Sequence, residues 1–303
     1  MKNQPREIQE GIGEGEIPLL LGIDISSAFD CLNRPKLLRQ LRATGFGQSA
    51  IKLIQSYFTN RTQQVDIGGK RGEKRPADIG VLQGSGMSPL FFLTYFLRGS
   101  IAVRTCNICK TKLRNQTEGR EERCEICGKT VTYADDATAV HRSKGRMKEI
   151  KEKSESQGSL IEATLNKLGL VMNKIRTQFL IVMSYQRKYP SRKIESIRRE
   201  YDTKLTIDIS NSKIEQKEDL KILGVYFDDQ TNFQKHWEKT NKACWNRIFA
   251  ISNLGRHIPV KKRRELGQGL VVSKISYCLE ATSTGPRSVM KGPNRALNKC
   301  VRS

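Results

Sequence analysis

The chain has 303 residues, 37% of them hydrophobic and 28% charged, which is long enough to bury a sizeable core. Lysine and arginine total 54 against 31 aspartate and glutamate, a formal charge of +23 that points to a polyanionic partner, nucleic acid ahead of an anionic membrane. The best apolar run, Leu90 to Leu97, stops at Arg98 and the first residues lack an apolar core, so neither a membrane span nor a signal peptide is expected.

Residues 1–18 read as a loose, glycine-bearing lead-in. Leu19 to Ile23 is apolar without alternation, as in a strand buried on both faces, and it ends in the carboxylate of Asp24. Pro35 opens a helical pattern (Leu37, Leu38, Leu41) that stops near Gly45, and a second helix carries Ile51, Ile54 and Phe58. Gln63 to Ile67, Gly68-Gly69 and Pro76 to Val81 suggest paired strands around a glycine turn. A second glycine turn, Gln83-Gly84-Ser85-Gly86, leads through Ser88-Pro89 into an apolar helix.

Residues 105–130 differ in composition, with many charges and little core. Thr130 to Tyr133, then Asp135-Asp136, then Ala137 to Val140 read as strand, tight turn, strand. Arg146 to Leu168 reads as a polar helix with a stripe of Met147, Ile150, Leu160 and Ala163. Phe179 to Met183, Leu205 to Ile209 and Ile222 to Phe227 read as three further strands. From about residue 231 the pattern is helical, and residues 231–303 hold 15 Lys and Arg against three Glu.

The chemistry centres on aspartates. An Asp-Asp pair alone is common in solvated turns. Here a third carboxylate, Asp24, ends a buried strand, where an unpaired charge is costly unless a cation compensates. Strand-borne aspartates at two positions suit a two-metal phosphoryl-transfer centre, since Mg²⁺ prefers carboxylate oxygens. Phe29 follows Asp24 closely; on pattern alone it is a core residue.

The eight cysteines comprise two close pairs and four singles, a pattern for a reducing compartment and a metal, not a disulfide framework. Cys106-Asn107-Ile108-Cys109 and Cys124-Glu125-Ile126-Cys127 are C-x-x-C pairs that suit a tetrahedral structural Zn²⁺ site. His141, His236 and His257 are unclustered and read as ordinary residues.

Asp24-Ile25-Ser26-Ser27-Ala28-Phe29-Asp30 resembles the first catalytic motif of reverse transcriptases of the non-LTR (LINE-type) retrotransposons. Gly80-Val81-Leu82-Gln83-Gly84-Ser85-Gly86-Met87-Ser88-Pro89-Leu90 resembles their second motif, with Leu82 where the family usually has proline. Tyr133-Ala134-Asp135-Asp136 resembles the third, Asn173-Lys174 with Thr177 the fourth, and Leu223-Gly224-Val225 the fifth. Tyr57-Phe58-Thr59-Asn60-Arg61 also fits. The order is that of the family.

The resemblance implies an α+β fold: a polymerase palm with an antiparallel sheet and helices. It divides the chain into palm over 19–104 and 131–230 and a basic helical thumb over 231–303, while the two C-x-x-C pairs mark 105–130 as a zinc-ribbon insert between the second and third motifs. It implies RNA-directed DNA synthesis with two Mg²⁺ ions on Asp24, Asp135 and Asp136, from an RNA template, a DNA primer and deoxynucleoside triphosphates. Phe29 would meet the sugar, Gln83 and Gly84 the incoming nucleotide and template, Tyr133 the substrate, and Lys174 the triphosphate as a general acid. The family's fingers precede the first motif, so a fragment lacking most of them is expected, in the nucleus or cytoplasm and off the membrane. A catalytically dead nucleic-acid-binding remnant and a group II intron maturase-like enzyme are the alternatives.

Overall fold

The computed structural model describes residues 8, 10–14, 16–104, 129–133, 136–144, 147–183, 205–254, 257–282, 291–292 and 295. The first long strand, β1 (Ile17–Ile23), is buried almost throughout, as its unbroken apolar run requires. A two-residue strand, β2 (Ile25–Ser26), continues it past Asp24. Helix α1 (Arg34–Ala43) starts where the side chain of Asn33 accepts a hydrogen bond from the Lys36 amide, with proline in the first turn. It ends at Gly45, whose φ of +95° lets the amides of Gly45 and Phe46 reach back to Arg42 and Leu41. Helix α2 (Gln48–Phe58) buries Ile51, Ile54 and Phe58, the anticipated stripe.

Between residues 61 and 76 the chain forms a two-stranded ribbon. β3 (Thr62–Gln63) pairs with β6 (Arg75–Pro76), and β4 (Asp66–Ile67) pairs with β5 (Lys70–Arg71). Gly68 and Gly69 both have positive φ, as a two-residue hairpin turn of this type needs. The strand pairing stops at Pro76 and does not extend to Val81, because Gly80 and Val81 turn to bond elsewhere. Helix α3 spans Ser88–Arg104.

β7 (Lys129–Tyr133) and β8 (Asp136–Ser143) form the expected hairpin, with Tyr133 opposite Asp136. Helix α4 (Met147–Leu168) buries Met147, Ile150, Ser154, Gln157, Gly158, Ile161 and Leu165. The stripe therefore runs through Ile161 and Leu165; Leu160 is half-buried and Ala163 is exposed. Steps of three and four from Ile150 lead to Ser154, Gln157, Ile161 and Leu165, so polar residues inside the stripe masked its phase. Gly158 lets β11 approach closely: a side-chain carbon there would stand 2.5 Å from Cδ1 of Ile209, which would have to shift.

β9 (Val171–Met172) pairs with β2, and β10 (Gln178–Ile181) pairs with β1. β11 (Thr206–Ile209) pairs with β12 (Ser212–Glu215), and β13 (Asp219–Ile222) with β14 (Val225–Asp228). Ile222 to Phe227 is thus no single strand. Leu223 and Gly224, with φ of +48° and +83°, turn the chain back within it. Helix α5 (Gln234–Asn253) and helix α6 (Val260–Gly267) follow, then a π-helical turn at Gln268–Val272 and short helices at Ser273–Ser276 and Leu279–Thr282.

The main sheet is antiparallel, in the order β10-β1-β8-β7. Alternation along β1 separates its two faces. Leu19, Leu21 and Ile23, with Ala137, Ala139, Phe179 and Ile181, join one core with the helices α1 to α4. Leu20, Leu180 and Val182 join a second core with Phe227, Trp237, Ile248 and Val271. Ile8 is buried in that second core and Ile12 packs against it, so the lead-in is tied to the back of the sheet. Among the described residues no helix is long and apolar enough to cross a membrane.

Candidate active site

Asp24 stands at the end of the central strand. The register of β1 on β8 runs to Ile23 opposite Ala137, so one step further Asp24 comes level with Asp136. The sheet therefore brings the first and third aspartate positions to one edge. Asp136 is exposed at the start of β8. Asp135 lies outside the described residues, as do Cys106, Cys109, Cys124 and Cys127 of the expected zinc ribbon. Tyr133 is placed by its backbone, as the last residue of β7.

The carboxylate of Asp24 is about a third exposed, and its Oδ2 is buried with no hydrogen-bond partner. A carboxylate oxygen that accepts no hydrogen bond is a donor that a hard cation can take. Among the described residues no group of three or more His, Cys, Asp or Glu side chains converges on one point.

The fourth motif is bound to the first through the backbone. The amide of Asn173 donates to the carbonyl of Asp24 at 2.8 Å, and β9 pairs with β2 beside it. Asn173 then shapes the next turn. Its Oδ1 accepts from the Arg176 amide at 3.2 Å, and its carbonyl accepts from the Thr177 amide and hydroxyl at 2.8 Å. The turn carries the Arg176 guanidinium to 3.9 Å from Asp24 Oδ2. Lys174 points into other company: its ammonium lies 3.0 Å from Glu162 Oε1 and donates to the carbonyl of Ser210 at 3.1 Å. The cation beside Asp24 is thus Arg176, which sequence reasoning missed. No sequence signal ranked it above Lys174; the turn held by Asn173 decides which cation reaches Asp24.

The second motif docks on the first. Val81 donates its amide to the Phe29 carbonyl at 2.9 Å, and Gly80 donates to Leu32. Gly80 has φ of +74°, and a side-chain carbon there would stand 2.6 Å from the Asp30 carbonyl oxygen, so only glycine fits. Arg34 holds the loop from outside, donating through Nε to the Gly80 carbonyl at 2.9 Å and through its terminal nitrogens to Ile79 and Phe58. Burial pulls its guanidinium below the ordinary arginine value, with the charge of Asp78 opposing. Gln83 is exposed, and its Nε2 reaches both oxygens of Asp30 at 3.3 and 3.4 Å. Gly84 next to it has φ of +85°. The Tyr57 hydroxyl donates to Ser85 Oγ at 3.1 Å and ties helix α2 to the same loop. Phe29 is partly buried against the core, its ring 4.9 Å from that of Phe92.

His141 and His236 are core residues. Burial, aided by the charge of Lys153, pushes His141 down to about 4; burial and Lys274 do the same for His236.

Residues 13–227 match the family described as reverse transcriptase (RNA-dependent DNA polymerase). The chain belongs to this family. A stretch of 79 residues, 26% of the chain, is 32% identical to the "Retrovirus-related Pol polyprotein from type-1 retrotransposable element R2" of Popillia japonica, and covers 13% of that protein's length. That relative agrees with the non-LTR reading of the motifs. Among solved structures, apo telomerase of Candida tropicalis, truncated from the C-terminal domain, is similar with 12% identity and a TM-score of 0.43, over 75% of this chain and 38% of that one. Telomerase of Candida albicans in complex with a fragment of telomeric RNA is similar with 12% identity and a TM-score of 0.39, over 100% of this chain and 51% of that one. The mixed helices and antiparallel sheet are those of a reverse transcriptase domain.

Proposed function

We propose that this reverse transcriptase family member is an RNA-directed DNA polymerase of the non-LTR retrotransposon type. It would extend a DNA primer on an RNA template with deoxynucleoside triphosphates. The observation that carries the reading is the buried Oδ2 of Asp24, which accepts no hydrogen bond and comes level with Asp136 at the strand ends. Asp24, Asp135 and Asp136 would hold the Mg²⁺ ions. Bound there, such ions lower the barrier by activating the attacking primer oxygen and neutralising charge on the leaving pyrophosphate. Arg176 lends a positive charge 3.9 Å from Asp24 Oδ2. The Gly80–Gly86 loop, fixed by Phe29, Leu32 and Arg34, presents Gln83 to the incoming nucleotide, while Phe29 excludes a ribose 2′-hydroxyl.

Asp24→Asn removes one charge from the site while keeping its shape. Primer extension on an RNA template with Mg²⁺ should fall by at least about a thousandfold, because that charge acts mainly in the transition state. Near-normal extension would reject the assignment. Template binding by a wild-type chain that never extends a primer would favour the non-catalytic remnant instead.

Two finer parts of the reading rest on sequence. The four cysteines suit one structural zinc, so metal analysis of protein purified without chelator should give about one zinc per chain. The helices from Gln234 onward suit a thumb on the primer–template backbone. In support, helix α5 leaves Trp245 40% and Phe249 68% exposed, one helical turn apart, with Lys242 exposed on the same face.

A further inference from the structure

The ribbon between Arg61 and Pro76 is unusual in burying none of its residues. All its residues are exposed, including Val65 at 65% and Ile67 at 75%. An isolated two-stranded hairpin is marginal in water at best. This one is set by its own hydrogen bonds: Gly69 to Asp66 Oδ1 at 3.1 Å, Gln64 to the Gly72 carbonyl at 2.7 Å, and Gly72 to the Val65 carbonyl at 2.8 Å. Residues 61–76 hold Arg61, Lys70, Arg71, Lys74 and Arg75 against Asp66 and Glu73. Arg71 pairs with Asp66 at 3.3 Å, and Arg61 lies over the Tyr57 ring at 4.8 Å. Among the described residues Lys70, Lys74 and Arg75 make no ion pair, so three cations face solvent unneutralised beside an apolar tip.

The position of the ribbon matters as much as its charge. Its base closes where the Ala77 amide donates to the Arg61 carbonyl at 2.8 Å. A few residues on, the chain enters the Gly80–Gly86 loop that docks on the first motif. The Arg61 side chain also donates to the Tyr57 carbonyl, and Tyr57 holds Ser85. Both ends of the ribbon are therefore anchored to the walls of the site.

We propose that this ribbon is a nucleic-acid contact, in which Lys70, Lys74 and Arg75 lie against the phosphates of the template–primer duplex and Val65 and Ile67 rest on its sugar and base edges. The proposal rests on the polymerase reading above for its ligand, though not on the chemistry of the aspartates. Three free cations complement a polyanion and would repel a basic protein partner. An apolar tip flanked by cations matches the edge of a duplex, where sugars and bases alternate with charge.

The test is equilibrium binding of the full chain to a labelled RNA–DNA hybrid over a salt series. Each phosphate contact contributes about 0.9 to the slope of log affinity against log salt. Lys70→Gln with Lys74→Gln and Arg75→Gln should make the slope shallower by about 2 to 3 and weaken binding more than tenfold at low salt. Lys70→Arg with Lys74→Arg and Arg75→Lys should keep the slope. Val65→Ser with Ile67→Ser should weaken binding severalfold at unchanged slope. Thermal unfolding of each variant should match the wild type, since these side chains touch no core. An unchanged slope in the glutamine variant, at full stability, would overturn the proposal and leave the ribbon to a protein partner. Primer extension by Asp24→Asn is independent of this outcome, so the ribbon and the polymerase reading can fail separately.

Discussion

Two hairpins flank the second motif in this chain, and they are built on opposite terms. The hairpin of β7 and β8 is locked into the main sheet: β8 pairs with β1 over seven residues, and Ala137 to His141 are buried without a break. The ribbon of β3 to β6 has no buried residue at all between Arg61 and Pro76. Strand β8 spends Ala137 to His141 on the core and leaves Asp136, its first residue, exposed. The ribbon is free to spend its side chains on something outside the molecule. A strand's face is either a core face or a binding face, and burial tells which.

The largest effect that would sharpen this contrast is a cavity in the sheet. Leu21 is fully buried between Ala139 and Phe179. Leu21→Ala should cost about 3 kcal/mol, the usual scale for a buried leucine, read as a fall in the urea midpoint. A loss under about 1 kcal/mol would mean the sheet is not the rigid partner assumed here.

Gly80→Ala comes next, and tests whether the site loop is clamped as tightly as the sheet. Its new methyl group would meet the Asp30 backbone in a left-handed conformation, at a cost of about 1–3 kcal/mol. Extension should drop more than stability does, because the loop carrying Gln83 must shift. Wild-type activity with full stability would show that the loop has slack.

A smaller, pH-dependent effect comes from His141, buried on β8 with neither ring nitrogen hydrogen-bonded. Its folded-state value of about 4 lies below the unfolded value near 6.5. The unfolded chain therefore binds the proton more readily. Stability is unpenalised above about pH 6.5 and is lost as pH falls from there towards 4. His141→Leu should stabilise the protein, by about 2 kcal/mol more at pH 5 than at pH 7.5, in paired urea titrations. An identical gain at both pH values would place the imidazole in contact with water.

The smallest effect is expected in the ribbon. Val65→Ser with Ile67→Ser should change unfolding free energy by no more than about 0.5 kcal/mol, as exposed substitutions generally do. A loss of 2 kcal/mol would reveal a hidden core and erase the contrast between the two hairpins.

By itself the sequence determined the pieces whose physics is local. The apolar run of β1 needs two covered faces, Pro35 starts a helix, and Gly68-Gly69 turns a ribbon, whatever lies around them. The order of the five motifs likewise placed the chain among reverse transcriptases and singled out Asp24. Tertiary structure decided what depends on contacts distant in sequence. Ser154 and Gln157 belong to the buried stripe of α4 only because β11 and the sheet approach there. Ile8 looks like part of a loose lead-in until the back of the sheet covers it. Lys174 and Arg176 are two cations two residues apart, and composition cannot rank them. The turn set by Asn173 sends one to Glu162 and the other to Asp24, because side-chain direction follows from backbone geometry that the three-dimensional fold imposes.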